Sequence, residues 1–185
     1  MENNSLSEWS RFVEPDGLML ALMPAHLAKC WQGALDPADY NSNYTKLNDA
    51  LGFYASVRKL DEDILIVFAG DRMPTSWKVD DRKRLIVLRI QYGEDDPAAY
   101  SFAYDRPSLK PIDFIQGIPL INREYRLFDI TGPLTDSETN NKIIQLQPGS
   151  YQLTTWEATP GCKTGVIVHW LELEHGDKSN RVGDV

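Results

Sequence analysis

The hydrophobic positions of this chain change period once. From Gly17 to Pro24, "GLMLALMP" is a short aliphatic run that stops at a proline, which suits a first core strand. In "PAHLAKCWQGALDP", Leu27, Cys30 and Trp31 recur at spacings of three and four. Pro24 fits the first turn, so a helix is predicted there, with Gly33 placed to end it. "DPADYNSNYTKLNDALG" reads as a loop or short irregular helix, rich in turn-forming Asn and Asp. From Phe53 onward the pattern is that of strands. "FYASVRKL" alternates, and "ILIVFAG" and "RLIVLRIQYG" are β-branched runs closed by turn residues. "PTSWKV" is read as the connection between those two, with room for a short strand. Residues 93–123 form the least regular part and are read as a long excursion holding a short strand or helix. "EYRLFDI", "NKIIQL", the alternating "SYQLTTWEA" and "GVIVHWLELEHG" complete the strand set.

About eight or nine short strands with one helix near the N-terminus predict a mainly β protein. The expected architecture is an antiparallel β-sandwich or open barrel, spaced by turn signals every 8–12 residues or so. Residues 1–175 are expected to form a single globular domain and 176–185 a polar tail. With 185 residues, 42% hydrophobic and 25% charged, such a core is within reach.

Charge narrows the partners. The 19 basic and 27 acidic residues leave a formal net charge of −8. That opposes binding to nucleic acid, which needs a basic face to displace counterions, and docking on anionic membranes. It favours a basic partner or none. The N-terminus has neither the basic start nor the apolar core of a signal peptide, and no run of ~18 apolar residues occurs, so the expected location is cytoplasmic. Cys30 and Cys162 are read as reduced thiols.

Candidate chemistry is sparse. No Cys-x-x-Cys, helical His pair, Gly-x-Ser-x-Gly or phosphate loop is present, so no cofactor, no metal and no catalytic residues are assigned. A Cys162–His169 or Asp129–His169 pair is the only dyad the strand order brings to mind. Three acidic clusters fall at strand ends: Asp61-Glu62-Asp63, Asp80-Asp81 and Glu94-Asp95-Asp96. Mutual repulsion keeps such clusters in water, and solvated turns are their simplest reading. The functional reading is an acidic rim for a basic partner, carried by Asp61, Glu62, Asp63, Glu94, Asp95 and Asp96. Trp31 and Trp170 are expected in the core, and Trp77 folded back on the body.

The order of the pieces resembles the immunity protein 21 family of bacterial polymorphic toxin systems. The matching residues are Leu18 to Gly33, Asp39-Tyr40, Gly70-Asp71, Pro74 to Trp77, Phe128-Asp129 and Leu146 to Thr155. The resemblance implies a cytoplasmic antitoxin that binds and occludes a cognate toxin domain, without catalysis. The alternative is a non-enzymatic β-sandwich for a small molecule or sugar, with Tyr100, Phe102, Tyr104 and Trp156 lining a concave site.

Overall fold

The computed structural model describes residues 9–10, 19–33, 44, 47, 54–69, 73–93, 97–104, 110–132, 134, 142–160 and 163–174. Ten strands and two longer helices are found among them. The elements are β1 (Leu20–Pro24), α1 (Ala25–Cys30), β2 (Ala55–Leu60), β3 (Asp63–Phe68), β4 (Thr75–Val79) and β5 (Leu85–Tyr92). They continue with α2 (Pro97–Tyr104), β6 (Asp113–Leu120), β7 (Glu124–Asp129), β8 (Ile144–Gln145), β9 (Gly149–Ala158) and β10 (Gly165–Leu173).

Two five-stranded antiparallel sheets result, ordered β2-β3-β1-β7-β8 and β4-β5-β10-β9-β6. They do not close into a barrel, so the sandwich reading holds. Alternation along each strand sends one set of side chains between the sheets. Leu20, Leu22, Ile66, Phe68 and Leu127 of the first sheet meet Leu85, Val87, Leu153 and Leu171 of the second. Both outer faces are also covered. Met19, Ala21, Val67 and Phe128 pack with Ala28 and Trp31 on the α1 side. Ile86, Leu88, Val168, Trp156 and Trp170 pack with Ala99 and Ala103 of α2. This double covering explains why β3, β5 and β10 read as continuous aliphatic runs rather than alternating ones.

The differences from expectation have local causes. The helix α1 stops at Cys30, before Gly33. Trp31 is extended, and its indole N–H donates to the Ile130 carbonyl at 2.9 Å, which draws the chain out of the helix. Gly33 instead takes a left-handed φ of 73° where a Cβ would lie 2.6 Å from Gly132. The second helix, α2, came from the excursion. Pro97 suits its first turn, and Ala99 and Ala103, four apart, are small enough to let it lie on the sheet. "PTSWKV" is a full edge strand, paired with β5 from Thr75↔Arg89 to Val79↔Leu85.

Candidate functional site

The β2–β3, β4–β5, β6–β7 and β8–β9 turns converge at one end of the sandwich. The β10 terminus joins them there, and Asp61, Glu62, Asp63, Arg82, Lys83, Arg123 and Glu174 lie at this turn end. In the β2–β3 turn, Asp61 adopts φ 54° and Glu62 projects into water, its side chain 94% exposed with Lys59 at 3.7 Å. Asp63 behaves differently. One carboxylate oxygen lies 2.9 Å from His26 Nε2, and the other accepts from Asn122 Nδ2 at 2.7 Å. Its side chain is only 14% exposed. Of the acidic triplet, two members face solvent and the third ties α1 and the β6–β7 turn to the hairpin. Glu94, Asp95 and Asp96 lie outside the described residues. They follow β5, which ends at Tyr92 at the far end of the sandwich from Asp61–Asp63.

The β4–β5 turn overturns the solvated reading of Asp80. This carboxylate is buried. It accepts from the backbone N–H of Arg82 at 3.0 Å and of Arg84 at 2.9 Å, and from Arg84 Nε at 2.8 Å. The Arg84 guanidinium lies 3.6 Å from the centre of the Trp170 ring, and Glu172 stands 3.7 Å away. Asp80 is thus a turn-closing and charge-pairing group.

Two connected depressions open at this end. The larger, about 990 Å³, is lined by Arg82, Lys83, Gln116, Gln147, Tyr151 and Glu174, among others. The smaller, about 630 Å³, lies between the β4 edge of one sheet and the β8 edge of the other, and shares Lys83 and Gln147 with the first. Glu174 is held by Ser150 Oγ at 2.6 Å and the Gly117 N–H at 3.0 Å, which lower its carboxyl below the ordinary range.

The suggested Asp129–His169 dyad does not form, since the two side chains bond other partners. His169 sits between the sheets, fully buried, its Nδ1 2.9 Å from Thr155 Oγ1 and its ring 4.8 Å from that of Phe68. Phe68 of the first sheet covers the ring and keeps it from solvent. Asp129 accepts from the Thr131 backbone N–H at 2.8 Å and from its hydroxyl. Cys162 lies outside the described residues. Tyr100, Phe102 and Trp156 pack in the layer under α2 rather than around a concave site.

The buried histidine has a measurable consequence. Burial and then the charge of Arg89 push its pKa well below 6.5. Arg89 is itself buried, donates to the Ala69 carbonyl, and is lowered to about 10 by desolvation. The unfolded chain takes up a proton on this histidine near pH 6.5, while the folded chain does not. Its contribution to stability therefore falls as pH drops below about 6.5, by up to about 1.4 kcal/mol per pH unit. Urea unfolding between pH 7.5 and 5 checks this. His169→Gln retains a partner for Thr155 and is expected to flatten the slope.

No protein-family model, curated protein or solved structure matches this chain. Among the described residues, no helix is long and apolar enough to cross a membrane.

Proposed function

We propose that this chain is a cytoplasmic immunity protein that binds and occludes a cognate toxin through its turn end. The observation that carries the reading is a fixed acidic and apolar patch. Glu62 and Asp61 project from the β2–β3 turn, and Ile121, 62% exposed, projects from the β6–β7 turn beside it. Asp63 joins the two turns through Asn122 and stiffens the patch. An exposed aliphatic anchor rimmed by carboxylates suits a protein partner with a basic cleft, because the anchor supplies burial and the charges steer encounter. The sequence resemblance to the immunity protein 21 family supports the same reading.

The test begins by purifying the tagged protein from its source strain at moderate salt and identifying a stoichiometric partner with a toxin domain. Co-expression is expected to protect cells from that domain. Asp61→Lys with Glu62→Lys is expected to slow association about tenfold at low salt, with the effect fading as salt rises. Ile121→Asp is expected to weaken affinity by about tenfold or more. A toxin partner bound equally well by all these variants would move the interface away from this patch. Toxicity undiminished by co-expression would refute the immunity role itself.

A further inference from the structure

The seam between β4 and β8 carries a second feature, which does not use the acidic patch. Although the chain has a net charge of −8, the depressions at this seam are lined by Arg82, Lys83, Arg123 and Lys142. Among the described residues none of these four makes an ion pair. The neighbouring carboxylates are already engaged. Glu172 faces Arg84 and accepts from Gln152 at 3.2 Å, Glu174 is held by Ser150 and Gly117, and Glu124 accepts from Gln145 Nε2 at 3.2 Å. Positive charge is therefore left over in the groove, and the net acidity of the chain does not cancel it locally.

The floor of the smaller depression is the chain from Lys142 to Pro148, which includes β8. β8 is the last strand of its sheet. The Leu146 N–H bonds the Arg123 carbonyl at 2.9 Å, so by antiparallel alternation the backbone groups of Gln145 turn away from β7, toward the outer edge. The opposite wall is the β4 edge with Trp77 and Val79, and Lys142 Nζ stands 5.7 Å from the centre of the Trp77 ring. The β4 edge is already occupied at Trp77, whose backbone N–H and carbonyl both bond Ser10. Among the described residues the β8 edge has no such cover.

We propose that this seam binds an extended acidic peptide segment, which adds as a strand along β8 and places carboxylates against Lys83, Arg123 and Lys142. The strand edge supplies main-chain hydrogen bonds that only a peptide can return, and the cations select its side chains. A long polyanion such as nucleic acid is disfavoured, because beyond the groove it meets the net negative charge of the protein.

The probe is a synthetic peptide of about eight residues that alternates glutamate and valine, long enough to line one edge. It is titrated at low salt into nitrogen-15-labelled protein while amide and indole resonances are followed. Shifts are expected at Ile143, Gln145 and the Trp77 indole. Lys83→Glu with Lys142→Glu is expected to weaken binding about tenfold or more and to reduce its salt dependence. Gln145→Pro removes an edge N–H and is expected to weaken binding with all the cations in place. Equal binding of the matched glutamine–valine peptide would overturn the charge assignment. The same shifts produced more tightly by tripolyphosphate would reduce the seam to a simple anion site and overturn the peptide. Shifts confined to other surfaces, or none, would remove the site.

Discussion

Asp80→Ala is expected to cost about 3–5 kcal/mol of folding stability, in the range for breaking a buried ion pair by removing one partner. The Asp80 carboxylate accepts from the two N–H groups that close the β4–β5 turn and binds the Arg84 guanidinium through Nε and Nη2, both at 2.8 Å. Arg84 is 4% exposed in the side chain and stacked on Trp170. Without Asp80 that cation keeps only Glu172 at 3.7 Å and the Tyr104 carbonyl at 3.3 Å. Its position under α2 denies it water, so the loss exceeds that of a surface pair. Arg84→Met keeps aliphatic contact with Trp170 but strands the carboxylate in turn. The double variant Asp80→Ala with Arg84→Met is therefore expected to lose much less than the sum of the two. Chemical denaturation of the four proteins checks the cycle. A loss below about 1 kcal/mol for Asp80→Ala would mean that water reaches the pair and that it behaves as a surface contact.

The pair shows where the sequence was legible and where it was not. Strands β3, β5 and β10 announced themselves because both faces of each sheet are buried, which favours aliphatic residues at successive positions, Arg89 and His169 being the buried polar exceptions. The same covering made Asp80 misleading. Next to Asp81, at the end of a strand, it looks like half of a solvated turn, and nothing local shows that Asp80 is buried against Arg84 while Asp81 stays exposed. The relevant signal was Arg84 four residues on, since Asp and Arg in that spacing close a tight turn with a paired charge. The excursion was left open between a short strand and a helix because the aromatic residues of α2 favour strands, while the informative residues were the small ones, Ala99 and Ala103. The acidic triplet Asp61-Glu62-Asp63 was found as a cluster, but its division of labour was not. Asp63 depends on Asn122, 59 positions away, and on His26, 37 positions back. The basic seam had no sequence signal at all. Lys83, Arg123 and Lys142 come from three separate turns and strands, and only the sheet order β7-β8 facing β4 gathers them. Net charge, the one relevant number in the composition, pointed the other way.

Trp77→Ala is expected to lower stability by about 3–5 kcal/mol, as for other truncations of a buried tryptophan. The residue lies in an edge strand, yet its side chain is 7% exposed and belongs to the core between the sheets, with Leu85, Val87 and Leu146. An edge strand has a partner on one side only, so β4 depends on this ring and on Ser10 to stay in place. The Ser10 bonds are to the Trp77 backbone and survive the substitution, and the loss is therefore one of packing. A control follows from the indole nitrogen, which is buried without a hydrogen-bond partner among the described residues. Trp77→Phe sacrifices no hydrogen bond, and it is expected to cost about half as much as the alanine variant, in proportion to the volume removed. Equal losses for Phe and Ala would show that the N–H matters after all. A Trp77→Ala protein that melts like wild type but no longer engages a partner would make the ring a recognition element and not a core residue. The buried position of the ring argues for the first outcome. In this fold "PTSW" serves to pin the edge strand β4 to the sandwich, through the Trp77 ring in the core and the β4–β5 pairing.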